Sequence, residues 1–279
     1  MKLSVIVVNR NMCSLLKQCL PTLIRACQDI EHQIIVIDDS STDKSVEMVK
    51  TDFPEVSMIV NEQSIGMAAS RNLGIEKAKG EYVLLVNADI ISGKKTVEQV
   101  VQFMDGHPDA GAVGVRALTP RGRFIPESRT GFGRSWATLL KITGLAKYFP
   151  KSRLYKNEER WIDEDEFATT EVDVINGAFM LLRRSALNKI GKLDERFIQF
   201  GHDIDLSFRL RLAGYKNYYY PRTYILNFAK QLTSKFTLDY IRKFYGAMII
   251  FAGKYLFKMP EIKVPGIPQM FAPKYEIER

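Results

Sequence analysis

The feature that most constrains this chain is an alternation of buried-strand runs and helical stretches, with acids standing where the runs end. Lys2 to Val8 is a continuous β-branched and apolar run, the pattern of a strand covered on both faces. Leu15, Leu16, Cys19, Leu20, Leu23, Ile24 and Cys27 follow at the three-and-four spacing of one helical face. Ile34 to Ile37 is a second strand, ending in Asp38-Asp39. Ser40 to Asp43 supplies N-cap residues for a helix running towards Phe53, and Pro54 stops it. Val56 to Val60 is a third strand. Met67 to Ala78 is helical with Gly80 as terminator. Tyr82 to Val86 is a fourth strand, ending at Asn87-Ala88-Asp89. Val97 to Met104 is helical and Ala112 to Val115 a fifth strand. This order predicts an α/β fold with a mostly parallel central sheet flanked by helices. Ligands of such sheets bind at the carboxyl ends of strands, which puts Asp38, Asp39 and Asp89 at the candidate site.

The second half is less regular. Thr119 to Thr170 scatters glycines, prolines and charges around Trp136 and Trp161. It reads as long loops with a short helix over Trp136 to Lys147. Val172 to Ile175 and Ala178 to Leu182 read as strands, Asp203 to Ala213 as an amphipathic helix closed by Gly214, and Tyr215 to Tyr220 as a strand. Phe236 to Phe257 is a last helix. A tail with Pro260, Pro265, Pro268 and Pro273 should be extended.

Net charge is +8, which suits anionic partners such as nucleotides or phospholipid headgroups. No nucleic-acid-binding module accompanies the charge, so nucleic acid is excluded. The three cysteines, Cys13, Cys19 and Cys27, fall in one helix. There the nearest pair lies about 9 Å apart along the axis, too far for a disulfide, so reduced thiols and a cytoplasmic setting are expected. Met1 to Val8 has no cleavage-site pattern. Phe244 to Phe251 is far shorter than a membrane span. The turn after the first strand, Asn9-Arg10-Asn11-Met12, lacks the glycines of a dinucleotide-binding loop, and no G-x-x-x-x-G-K-[ST] loop is present.

Several blocks, in order and spacing, carry a resemblance. They are Val5 to Arg10, Val36 to Asp43, Asn61 and Gly66 through Ala69, Arg71, Asn72 and Gly74, Gly80 to Asp89, Asn176 to Met180, Asp194 to Phe197, and His202-Asp203-Ile204-Asp205-Leu206 with Arg209. Together they resemble family-2 glycosyltransferases, nearest the rhamnosyltransferase-like branch. The resemblance implies a GT-A-type fold in three parts. Residues 1–118 would be the nucleotide-sugar-binding half, 119–228 the acceptor-binding and catalytic half of the same domain, and 229–279 a C-terminal helix and tail. It implies inverting transfer of a sugar from a UDP- or dTDP-sugar to a polysaccharide or lipid-linked acceptor.

The chemistry accounts for the residue types. A diphosphate leaving group develops charge that a divalent metal, Mn or Mg, neutralises as a Lewis acid. Such ions prefer oxygen ligands, and the resemblance gives Asp89 that role, while Asp89 also fits an ordinary helix cap after a strand. The family's acid two positions earlier is Asn87 here, and its late metal-binding histidine is Asn227. The resemblance also puts Val8, Asn9, Arg10, Asp38, Asp39, Gly66, Arg71 and Asn87 around the donor. One of Asp38 and Asp39 would accept the imide hydrogen of uracil or thymine, while either equally complements the next helix dipole. Arg71 either reaches a phosphate or is a solvated helix-face charge. Asp203 fits a base that takes the acceptor hydroxyl proton, and it also fits a helix cap. Asn176, Gly177 and His202 fall on the acceptor side. His202 stands where the family usually has Glu, and it tunes Asp203, touches the acceptor or does neither. Asp205 pairs with Arg209 at i,i+4. Phe236 to Phe257 is either an interfacial helix that brings peripheral contact with an anionic membrane or a helix packed on the domain. Because Asn87, His202 and Asn227 depart from the pattern, the alternative is a glycosyltransferase-like protein that binds nucleotide or a partner without turnover.

Overall fold

The computed structural model describes residues 1–130, 167–228 and 238–256. The expected helix at Trp136 to Lys147, Trp161 and the proline tail lie outside them. The strands are β1 (Leu3–Asn9), β2 (His32–Asp38), β3 (Ser57–Val60), β4 (Tyr82–Asn87), β5 (Ile90–Ser92), β6 (Ala110–Leu118), β7 (Thr170–Val172), β8 (Phe179–Arg183) and β9 (Lys216–Asn227). The helices are α1 (Cys13–Cys27), α2 (Ser45–Asp52), α3 (Met67–Lys77), α4 (Thr96–Gly106), α5 (Glu127–Thr130), α6 (Arg184–Ile190), α7 (His202–Leu212) and α8 (Leu238–Leu256).

One sheet runs in the order β3-β2-β1-β4-β8-β6-β9-β5, with β7 on β9. Successive strand residues feed opposite layers, which is why these runs are apolar throughout. Leu3, Val5 and Val7 of β1 join Leu16, Leu20 and Leu23 of α1 on one face. Ile6 and Val8 join Ala68 of α3 and Leu206 and Leu210 of α7 on the other. Each fully buried Leu, Ile or Val contributes roughly 1.5–3 kcal/mol, so the alternation fixes the register firmly.

The block β3-β2-β1-β4 is parallel, as is β6 with β9. Between them β8 runs antiparallel to both β4 and β6. That reversal has a functional consequence. It brings the start of β8 to the carboxyl edge of β4, where the Asn87 N–H donates to Ala178 O at 3.1 Å.

Some expectations need correction. The Val172 to Ile175 strand is β7, which ends at Val172. Ser40 to Thr42 do not cap α2; Asp43 Oδ1 instead accepts the Ser45 N–H at 3.0 Å. Gly80 does not terminate α3, whose cap is the extended residue Ala78. A Cβ on Gly80 would lie 2.5 Å from Leu3 C and Ser4 N, so this glycine exists for close backbone approach. Gly80→Ala should cost about 1–3 kcal/mol by overpacking, read as a lower urea midpoint at unchanged slope.

Helix α7 was expected to be amphipathic, yet it is buried on both faces. Leu206 and Leu210 face the sheet. Ile204 and Phe208 face α8, against Ala247, Met248, Ile250 and Phe251. Helix α8 is thus packed on the domain. Lys254, one of the cations within the Phe236 to Phe257 stretch, has a side chain only 9% exposed and pairs with Asp194 and Asp205. Among the described residues no helix is long and apolar enough to cross a membrane.

Candidate active site

Parallel pairing sets Asn9 beside Asp38 and Val8 beside Asn87. The ends of β1, β2 and β4 therefore share one edge, and the chain beyond them forms a polar floor. Asn9 Nδ2 donates to Asp38 Oδ2 at 2.9 Å and to Ser41 Oγ at 3.2 Å. Ser41 N–H donates to Asp38 Oδ1 at 2.8 Å.

Asp39 has a task the sequence did not reveal. Its carboxylate accepts from Asn61 Nδ2, Ser64 Oγ, Ser70 Oγ and the N–H groups of Ile65 and Gly66, at 2.7–3.2 Å. Burial pushes its pKa up, but these hydrogen bonds outweigh burial and hold it below the usual value. A carboxylate has about four lone-pair sites, so Asp39 is saturated as a clamp on the turn that leads into α3. Gly66 takes φ +90 in that turn, and Arg10 Nη1 donates to Ser64 Oγ at 2.6 Å. A nucleobase can reach Asp39 only by displacing one of its donors, whereas Asp38 accepts a single donor on each oxygen. Asn9 Oδ1 is different: it is buried and has no hydrogen-bond partner.

Arg71 is the hub of the site. It is neither solvated nor open to a phosphate, being 1% exposed. Its Nη1 donates to His202 Nε2 at 2.8 Å. Its Nη2 donates to Asn87 Oδ1 at 2.9 Å and Gly177 O at 2.6 Å. All these acceptors are uncharged. Burial lowers the guanidinium to about 10, with Asp203 and Asp89 pulling it back up, so it stays cationic at neutral pH. Because arginine only donates, His202 Nε2 is the acceptor and the ring proton sits on Nδ1. Burial and then the Arg71 charge hold His202 well below its ordinary pKa, so the ring is neutral. Its Nδ1 is buried without a partner.

Asp203 completes the cluster. Its Oδ2 accepts the Gly177 N–H at 3.0 Å and its Oδ1 the Ile204 N–H at 3.0 Å. Burial pushes its carboxyl above the usual range, against Gly177 N–H and Arg71, which pull it down. A Cβ on Gly177 would sit 3.2 Å from both Arg71 Nη1 and Asp203 Oδ2, so the glycine permits this convergence. Asn176 Oδ1 accepts the Ala178 N–H at 2.9 Å and shapes the same turn.

Asp89 is 5% exposed, and its Oδ1 is buried without a hydrogen-bond partner. Burial raises its pKa, partly countered by its own N–H and by Arg71. Pairing of β5 with β9 sets Asn227 opposite Ile90, one residue beyond Asp89. The described residues hold no cluster of three His, Cys, Asp or Glu side chains able to ligate a metal, and Asn87 Oδ1 is occupied by Arg71. Among the described residues an all-protein cage does not fit. A divalent ion held by Asp89 and completed by substrate phosphate and water does.

The sequence reading missed Ser64 and Ser70 as donors to Asp39, although Ser70 directly precedes Arg71. It also missed Lys254 and Tyr255, which donate to Asp205 from 49 and 50 residues away; no local pattern reports such a partner.

Known proteins show what the chain as a whole is similar to. The sequence-family model "Glycosyl transferase family 2" matches residues 4–191. N-acetylglucosaminyl-diphospho-decaprenol L-rhamnosyltransferase of Mycobacterium tuberculosis is 22% identical over 232 residues, 78% of this chain and 73% of that protein. S. aureus TarS 1-349 in complex with UDP superposes with TM-score 0.59 at 21% identity, over 91% of this chain and 66% of that one. Mannosyltransferase PcManGT from Pyrobaculum calidifontis, in complex with GDP-Man and Mn2+, gives 0.56 at 18% identity, over 81% and 56%. The fold is the GT-A type.

Proposed function

The chain belongs to glycosyl transferase family 2, and on that footing we propose that it moves a sugar from a UDP- or dTDP-sugar to a hydroxyl of a polysaccharide or lipid-linked acceptor, with inversion. The observation that carries this reading is the convergence of Arg71, Gly177 and Asp203 at the carboxyl edge of the sheet. Relatives whose names specify lipid-linked or polymeric acceptors support the acceptor class.

In this reading the acceptor oxygen bonds to the anomeric carbon while its proton passes to the Asp203 carboxylate. The bond from that carbon to the diphosphate breaks, and the leaving oxygen takes the electron pair. One displacement inverts the centre. A divalent ion bound at Asp89 would supply Lewis-acid stabilisation of the diphosphate. The fixed charge of Arg71 offsets the carboxylates around it at no cost in reorganisation. Binding without turnover remains the competing reading, since Asn87 and His202 are both neutral. The unpartnered Asp89 oxygen and the raised Asp203 carboxyl favour turnover.

Thermal shift with UDP and dTDP, with and without Mn2+, tests the proposal. A nucleotide at about 100 times its Kd adds about 2.7 kcal/mol, a rise of roughly 5–10 °C. Asp89→Asn should remove the Mn2+-dependent part of the shift and leave the metal-free part. Nucleotide binding together with no release of nucleotide from any sugar donor would decide for the competing reading.

A further inference from the structure

Lys254, near the end of α8, donates to Asp205 Oδ1 at 2.6 Å and to Asp194 Oδ2 at 2.9 Å. Tyr255 OH donates to the same Asp205 oxygen at 2.6 Å. Each carboxylate already has an arginine of its own. Arg209 Nε donates to Asp205 Oδ2 at 2.9 Å. Arg196 forks onto Asp194 through Nε at 2.9 Å and Nη2 at 2.5 Å. Charge balance therefore does not require the lysine. Arg209 Nη1 and Nη2 also tie the body of α7 to the segment before it, at Ile190 O, Gly191 O and Lys192 O. What Lys254 adds is a direct joint from Asp205, in the first turn of α7, to Asp194 in that segment.

Those two parts flank the base. Asp205 lies two residues after Asp203 in the first turn of α7. The Asp194 segment grips α3, the helix that carries Arg71. Asn72 Nδ2 donates to Leu193 O at 2.9 Å, Leu193 N–H donates to Asn72 Oδ1 at 3.0 Å, and Met67 N–H donates to Ile198 O at 2.9 Å. Phe251 and Tyr255 pack on Phe208, with ring centroids 6.0 and 4.7 Å away, and seat α8 on the outer face of α7. A general base works only when its oxygen is held in place, because a misplacement of about 1 Å can cost on the order of 10²-fold in rate.

We propose that Lys254 is a positioning residue for Asp203: it locks the first turn of α7 to the Asp194 segment, and so to α3, fixing where the carboxylate points. The proposal rests on the reading of Asp203 as the base. It gives the C-terminal helix a part in catalysis without any contact with substrate.

The test uses full-length Lys254→Met and Lys254→Arg, with Asp194→Asn alongside as a variant that removes one arm of the joint and leaves Lys254 on Asp205. The first readout is amide exchange at Gly177 and Ile204, the two N–H groups that Asp203 accepts. Lys254→Met should speed exchange at both by roughly tenfold or more while amides of β1 and β4 keep their rates. Asp194→Asn should do the same more weakly, and Lys254→Arg should restore protection. The second readout is UDP release from UDP-N-acetylglucosamine with Mn2+. In Lys254→Met kcat should fall roughly 10–100-fold with donor KM unchanged. Unchanged exchange at Gly177 and Ile204, or equal acceleration across the whole sheet, overturns the proposal. Asp203→Asn separates the two ideas. Turnover surviving in that variant defeats the base assignment. Turnover lost there but intact in Lys254→Met, with quiet amides, defeats the positioning role alone.

Discussion

Asp203→Asn is expected to lower kcat by roughly 10²–10⁴-fold, the usual contribution of general base catalysis, while the thermal shift produced by donor nucleotide stays at the wild-type value. The exchange of one oxygen for an amide group is nearly isosteric. Both carboxylate oxygens accept backbone N–H groups, from Gly177 and Ile204, so the new NH2 must oppose one of them. Leaving that donor unpaired costs about 1–3 kcal/mol. The substitution also removes a buried charge. Burial raises the Asp203 carboxyl pKa in the folded state, so its stabilising contribution is present at low pH and is lost as pH rises through the raised value. At neutral pH the loss of the hydrogen bond and the relief of that charge oppose each other, and the change in Tm should be small. The same shift sets the pH profile. The carboxylate is the working form, so activity should fall with acid at a pH above the ordinary aspartate range, and that limb should be absent in the Asn variant. An Asn variant that turned over at the wild-type rate would remove Asp203 from the chemistry.

Arg71→Met should have the largest effect on stability and abolish turnover as well. The side chain is buried, and its removal strands Asn87 Oδ1, Gly177 O and His202 Nε2. It also deletes the cation that offsets Asp203 and Asp89. Comparable losses of one buried partner cost about 3–5 kcal/mol, a fall in Tm of more than about 6 °C for a chain of this size. Arg71→Lys should fold better but remain impaired, since an ammonium lacks the planar fork that spans these acceptors. In that variant burial should still hold the His202 pKa down, but less far than in the wild type, because the ammonium sits further from Nε2 than the guanidinium that adds to the depression. Scanning calorimetry of the two variants, with a His202 titration by NMR in Arg71→Lys, checks both statements. Wild-type Tm in Arg71→Met would show that the hub carries no stability.

Much of this protein is legible from neighbouring residues. The strand and helix order of the first half follows from apolar periodicity, but the strand expected over Tyr215 to Tyr220 runs on to Asn227, and β5, α5 and α6 carried no expectation. The candidate residues were nameable because they stand at strand ends or helix starts. Their roles were less legible. Asp39 reads as a pocket acid, yet it clamps the turn from Asn61 to Gly66, because Ser64, Ser70 and backbone N–H groups fill its lone pairs. Arg71 reads as a cation free to meet phosphate or water, and it is buried.

The sequence by itself determined the α/β alternation, the two-faced burial of the central strands and the set of polar residues at their carboxyl edge. Those depend on spacing over a few positions, where side-chain direction follows directly from backbone period. Only the tertiary structure decided that β8 runs antiparallel and delivers Gly177 beside Asn87. It also decided that Arg71 is shared with residues 106 and 131 positions away, and that Lys254 joins Asp194 to Asp205. Hydrogen bonds and ion pairs act over about 3 Å in space and carry no signature in the sequence between the partners. Which donor meets which acceptor is settled only once the sheet has closed its order and the helices have packed on it.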